Sequence, residues 1–330
     1  LYGVLALVAL VALAAPLLGL RTGMPSIKVV PEDESSRVGY AAIQRAFGEG
    51  APGTLQVVAP VPAAAEAARV LEDDAGIAAV MPAMDGRDHV LLQAVPDVGP
   101  SDPLLGATVD RLRWDLPDGA LVGGASAENH DLEQLLSDRT PLVVGVVLVL
   151  GFLLLVVALQ APLVAALGTV TNLLATSAAF GVAKLVFQDG HGSGLLGFES
   201  QGFLDAWAPV FFFAMIFAIG MDYTVFLLAS AKEHWEKSGD PREAMVGGLA
   251  HSGRVIFAAA GVMVAVFFTF ALSGPLPPKE MGVVLGIAVL LDAALVRLLL
   301  LPVLLRLAGR AAWAAPRWLR RVLPPVRFSH

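Results

Sequence analysis

Cysteine is absent from all 330 residues. That excludes disulfide staples, thiolate metal sites and a cysteine nucleophile, and leaves the redox compartment open. Charge is scarce as well: 15% of residues are Asp, Glu, Lys or Arg and 56% are hydrophobic, far from the quarter-charged average of a soluble domain. No basic cluster lies in the polar part of the chain, so nucleic acid is not an expected partner. Nucleophile elbow, phosphate loop and nucleotide fingerprint are all missing. The Gly-rich Gly190-His191-Gly192-Ser193-Gly194 lacks the lysine and the strand-to-helix setting that a P-loop needs. The six histidines share no ligand-like spacing with one another or with a carboxylate cluster. These absences lead to the expectation of a protein that is not an enzyme, with no catalytic residue, no metal and no cofactor.

The chain has apolar runs of bilayer length instead. A helix needs roughly 20 apolar residues to cross the hydrocarbon core, and residues 1–20 supply the first such run. Residues 141–187 supply the second and third, Pro141 to Leu159 and Leu163 to Phe187, joined by a tight Gln160-Ala161-Pro162 turn. A polar, Gly-rich loop over 188–206 precedes the fourth, 207–231. A charged loop over 232–252 precedes the fifth and sixth, which occupy 253–305. In that loop Asp240-Pro241-Arg242-Glu243 has the form of a capped helix start. Leu1 already sits inside an apolar run with no charged leader, which reads as the first helix of a longer polypeptide rather than as a signal peptide.

Residues 26–140 differ in kind. They carry 19 acidic against 8 basic residues, where the remainder carries 10 against 14. Short β-like runs at Thr54 to Ala59, Ile77 to Met81, His89 to Val95 and Ala120 to Gly123 alternate with amphipathic helices at Ser36 to Phe47, Pro62 to Glu72 and Ser101 to Trp114. This order predicts a small α/β domain of split βαβ type. Lys232, Lys237, Arg242 and Arg254 mark the loop before the fifth span as cytoplasmic, as do the arginines beyond Arg306, so residues 26–140 lie outside the cytoplasm. The tail, 306–330, reads as a basic interfacial helix on membrane lipids, with Trp313 and Trp318 at headgroup level beside Arg310, Arg317, Arg320 and Arg321. The expected location is a multi-pass position in the cell membrane.

The leading candidate residue is Asp222, in Gly220-Met221-Asp222-Tyr223 of the fourth run. An ionisable group inside a membrane span costs at least about 2.5 kcal/mol, so it is expected to face other helices or a wet cavity and to serve function. Ala218 and Ala214 lie one and two turns before it, a small-residue face. Tyr223 keeps its phenol neutral at ordinary pH and can donate to a partner of Asp222 or to a water chain. A structural, capping Asp222 and a merely packed Tyr223 are the bland alternatives. Asp292 and Arg297, in the sixth run, are the other intramembrane charges. Five residues apart, they project about 140° from each other on an α-helix, so no simple intrahelical pair is expected. Asp292 reads as a modulator of any proton relay, and Arg297 equally as modulator or as an interfacial, snorkelling side chain. Gly282 and Gly286 suggest close helix packing. Asp73-Asp74 and Glu32-Asp33-Glu34 read as charge runs on a solvated face.

Taken together, these stretches resemble one half of a resistance-nodulation-division transporter, and within that superfamily the mycobacterial membrane protein large (MMPL) family. The match is carried by Gly123-Gly124-Ala125-Ser126-Ala127-Glu128-Asn129 with Asp131, Thr171-Asn172-Leu173-Leu174 and Gly197-Phe198-Glu199-Ser200. It continues through Met221-Asp222-Tyr223-Thr224-Val225-Phe226, Gly253-Arg254-Val255-Ile256 and Asp292 with Val296-Arg297. The resemblance implies six transmembrane helices with an inserted ferredoxin-like porter domain. It implies proton-driven export of a lipid or other hydrophobic substrate, with Asp222 and Tyr223 as one of two pairs in a proton relay. The second pair would come from an N-terminal half that is missing here or from a second half-transporter copy. A sterol- or lipid-sensing receptor or assembly scaffold on the same helices is the alternative.

Overall fold

The computed structural model describes residues 1–314 and Leu319. In chain order the elements are α1 (Tyr2–Ala14), β1 (Thr22–Gly23), α2 (Ser35–Phe47), β2 (Leu55–Pro60), α3 (Ala64–Asp73), β3 (Ile77–Val80), β4 (Met84–Asp85) and β5 (His89–Pro96). Then come α4 (Pro103–Asp115), β6 (Leu121–Gly123), α5 (Ala125–Leu159), α6 (Pro162–Ala183), α7 (Ser193–Leu196), β7 (Leu204–Asp205), α8 (Ala208–Ser238), α9 (Pro241–Phe270), α10 (Leu276–Leu291) and α11 (Leu301–Ala312). A π-helical segment, Asp292–Leu300, joins α10 to α11. The chain divides into two compact units, residues 1–21 with 139 onward, and residues 22–138.

Six helices among the described residues are long and apolar enough to cross a membrane. The protein is a polytopic membrane protein. Sequence patterning explains most of their ends. Gly239 takes φ +66° after α8, and the Asp240 side chain accepts from the Arg242 backbone N–H at 2.9 Å to start α9, with Pro241 as its first residue. Gln160 takes φ +50° in the turn between α5 and α6. Within the helical unit α8 packs on α9, α9 on α10, and α6 on α1 and α10. Close approach of α10 to α9 depends on Gly282, where a Cβ would stand 2.5 Å from the Phe267 carbonyl oxygen. Leu142, Val149, Leu150, Leu153 and Leu154 of α5 are all exposed, an apolar surface that calls for lipid or protein against it.

Several boundaries differ from the sequence reading. The loop expected over 232–252 is mostly helical, because α8 runs on to Ser238 and α9 already starts at Pro241. The helix expected to open at Pro141 already begins at Ala125 and carries Pro141 in its interior. Residues 125–139 contain neither glycine nor proline, so nothing stops the turns before it. The last span begins at Leu276 rather than Met281, which brings Lys279 and Glu280 into the helix. Trp313 is buried and stacks on Trp235 at 6.0 Å between ring centroids, where headgroup exposure was expected. Arg317, Trp318, Arg320 and Arg321 lie outside the described residues.

In the smaller unit the strand order is β3-β5-β2-β6, antiparallel throughout, with β4 paired to β5. Strand β5 therefore separates β2 from β3, which α3 connects, and β2 separates β5 from β6, which α4 connects. Each helix closes a split βαβ unit. Residue alternation along β2 puts Leu55, Val57 and Ala59 on one face, opposite Ala94, Leu92 and Val90 of β5. Ala67 and Leu71 of α3 with Leu105, Val109 and Leu112 of α4 cover that face at helical spacing. Burying each leucine there contributes about 1.5–3 kcal/mol.

Asp74 corrects the reading of Asp73-Asp74 as a solvated charge run. Its side chain is 5% exposed and its carboxylate accepts from Arg111 Nε and Nη2 at 2.7 Å each, and from the Gly76 backbone N–H at 2.7 Å. The pair ties the end of α3 to α4. The Arg111 guanidinium holds the Asp74 carboxyl below the usual carboxylate range. A lowered folded-state value contributes stability above the unfolded value, about 3.9, and loses it as pH falls through the folded one. Arg111→Gln is expected to destabilise the region by about 1 kcal/mol, the upper end for a pair with one partner half exposed. Hydrogen exchange of the amides of residues 74–80 checks this: the loss should be full at neutral pH and fade in acid. A loss that is unchanged in acid would assign it to packing instead.

Candidate functional site

The site is built where the π-helical segment meets α8. An i→i+5 helix brings residues five apart onto one face. Asp292 and Arg297, which an α-helix would have splayed, thus form a buried ion pair in which Arg297 Nε donates to Asp292 Oδ2 at 2.7 Å and Nη2 donates to the same oxygen. The expectation that they do not pair was wrong for this reason. Arg297 is 1% exposed, which also removes the interfacial reading of its side chain.

Arg297 does more than neutralise Asp292. Its Nη2 also donates to the Gly220 carbonyl oxygen at 2.8 Å, and its guanidinium carbon lies 5.1 Å from the centroid of the Tyr223 ring. The Tyr223 hydroxyl donates to Met263 Sδ on α9 at 3.1 Å. Asn172 on α6 donates to the Phe217 carbonyl oxygen at 3.3 Å, and Gly220 lets it approach, since a Cβ there would stand 2.4 Å from Asn172 Oδ1. Asn172, Gly220, Tyr223, Asp292 and Arg297 line a cavity of about 10 Å³, the size that holds one water. Asn172 Oδ1, Asp292 Oδ1 and Arg297 Nη1 are buried with no hydrogen-bond partner among the described residues.

Asp222 is not in this cluster. One residue before Tyr223, it points about 100° away, onto an exposed face of α8 shared with Phe211, Ala218 and Phe226. No hydrogen bond or ion pair joins it to another described residue. The structure thus divides the Asp-Tyr pair, with the phenol facing the Arg297–Asp292 pair and the acid facing outward. The sequence reading did not single out Asn172, Gly220 or Met263 as site residues. Asn172 in an apolar run was the available signal.

A family model described as "MMPL family" matches residues 106–328. The chain belongs to the MMPL family. Membrane protein YdfJ of Bacillus subtilis is 31% identical over an alignment that covers 96% of this chain and 46% of the relative. The heme uptake protein MmpL11 of Mycobacterium tuberculosis is 34% identical over 97% of this chain and 35% of its own length. The mycolic acid-containing lipids exporter MmpL11 of Mycolicibacterium smegmatis is 31% identical over 98% and 36%. The chain therefore spans less than half the length of these curated relatives.

For this MMPL chain the buried pair has a measurable consequence. Removing one partner of a buried ion pair costs about 3–5 kcal/mol, because the other charge is stranded, whereas replacing both by apolar residues is often neutral. Arg297→Met should destabilise the helical unit by that amount. Asp292→Leu combined with Arg297→Met should recover most of it, as read by thermal unfolding in detergent micelles. A double variant no more stable than the single one would show that pairing is not what holds the segment.

Proposed function

We propose that this chain is one half of a transporter, rather than an enzyme, that uses the proton-motive force to export a lipid or other hydrophobic substrate across the cytoplasmic membrane. Residues 22–138 serve as its ferredoxin-like porter domain outside the cytoplasm, in keeping with the Lys and Arg residues of the 232–254 loop. The observation that carries the reading is the position of Asp222. It is an ionisable side chain within a membrane-length helix, and no described residue compensates it. Such a group can take a proton from one side and release it to the other, while the net-neutral Arg297–Asp292 pair keeps a fixed charge distribution beside it.

The face carrying Asp222 is the one on which a second half, upstream in a longer chain or in another copy, would set its own acid. Tyr223, held under the Arg297 guanidinium, follows Asp222 directly on α8, and through it Asp292 and Arg297 modulate the relay. A proton crossing the full field supplies about 2.3 kcal/mol per 100 mV, which biases the helices between inward- and outward-open states. The relatives' names specify heme for one and mycolic acid-containing lipids for another. Both are hydrophobic amphiphiles, and that is the substrate class proposed here.

Asp222→Asn in the full-length protein should abolish proton-driven export of hydrophobic substrate from proteoliposomes while substrate binding persists. Asp222→Glu should retain part of the activity. Export by Asp222→Asn at the wild-type rate would remove Asp222 from the mechanism. Wild-type protein that binds lipid but moves none under a pH gradient would favour a lipid-sensing receptor or scaffold.

A further inference from the structure

A second acid is also left unpaired, away from the relay. Glu280 is 1% exposed, and no side chain among the described residues donates to its carboxylate, the donor beside it being the backbone N–H of Asp205. Its neighbour Lys279 does not reach it, because Lys279 Nζ donates to the Gly197 carbonyl oxygen at 3.0 Å and to that of Leu196. The charged group that faces Glu280 is another acid, Asp205, whose own carboxyl is raised by burial and whose Oδ1 accepts from the Trp207 backbone N–H at 3.0 Å. Both acids line a cavity of about 310 Å³ at the N-terminal ends of α8 and α10, walled by Trp207, Phe211, Phe212 and Pro277.

Two acids without a cation among the described residues, in an aromatic cavity of ligand size, define what fits. Ca2+ and Mg2+ take six or more oxygens, and this cavity offers two carboxyl groups among aromatic walls. An organic ammonium needs only the carboxylate and is further attracted by indole and phenyl faces. We propose that this cavity binds an amphiphilic amine, with its ammonium group against Glu280 and Asp205 and its apolar body against Trp207, Phe211 and Phe212. The site is independent of the Asp222 relay. An aminophospholipid headgroup and a free hydrophobic amine share the required chemistry.

The test uses the full-length protein in a maltoside detergent, with 3-phenylpropyl-trimethylammonium as probe and its uncharged isostere, carbon in place of nitrogen, as control. Equilibrium dialysis should find the cation bound about tenfold or more tightly than the isostere, the scale of a desolvated quaternary ammonium against an aromatic face. Glu280→Gln should remove that preference and leave isostere binding unchanged, and Asp205→Asn should reduce it. Displacement of the probe by phosphatidylethanolamine but not by phosphatidylglycerol would assign the site to a lipid headgroup. Displacement by neither would assign it to a free amine. Equal binding of probe and isostere by the wild-type protein, a comparison that needs no variant to fold, would overturn the proposal and make Glu280 a buried neutral acid. So would an unchanged preference in folded Glu280→Gln.

Discussion

The helical unit is organised by the cost of placing a guanidinium in a membrane-length helix. Arg297 is almost wholly buried, and a charge so placed must be paired and hydrogen-bonded. An ordinary α-helix cannot supply Asp292 as its partner at a spacing of five. The π-helical turn can, and it does so with the Asp292 carboxylate, while the Gly220 carbonyl of α8 takes a further guanidinium N–H. The same contact ties α8 to the last span at Gly220, whose carbonyl also accepts from Thr224 Oγ1 of α8 at 2.7 Å. Tyr223 then lies under the guanidinium as a consequence of that contact.

This arrangement gives α8 two faces with different physics. One is buried and holds Gly220 and Thr224 against Asn172, Asp292 and Arg297, with Tyr223 half-buried at its edge. The other carries Phe211, Ala218, Asp222 and Phe226 and has no partner among the described residues of this unit. The two charges against the buried face, Arg297 and Asp292, neutralise each other, so a change of protonation there disturbs packing directly. The open face holds a single acid, whose protonation can change without breaking a contact within this chain.

Much of this was legible beforehand, and the failures have physical causes. Apolar runs of bilayer length marked all six long helices, and Asp240-Pro241 marked a helix start, because both signals are local. The Asp292–Arg297 pair was missed because the angular argument assumed 3.6 residues per turn over a segment that closes over five. Hydrophobicity alone cannot reveal that change. Ala125 was missed as a helix start because polarity was taken as the end of a span, although Glu128, Asp131 and Glu133 are compatible with helix. Asp74 was read as solvated because its partner Arg111 lies 37 residues away. Glu280 fell just outside the span drawn from Met281, so its burial had no sequence signal.

Charge compensation across the helical unit separates structural from functional ionisable groups. Lys184 pairs with Asp189 at 2.6 Å, Lys237 with Glu233 at 2.6 Å, Lys232 with Glu236 at 3.6 Å, and Arg297 with Asp292. Each of these has its counter-charge within five residues and is explained by the fold alone. Asp222 and Glu280 have none among the described residues, and they differ in what surrounds them. Asp222 stands on an open helix face, where compensation can come only from outside this set of helices or from a proton. Glu280 stands in an aromatic cavity beside a second acid, where compensation can come from a cationic guest as well. A membrane protein retains such groups against a cost of several kcal/mol each, so what remains unpaired after local pairing is where function is to be sought.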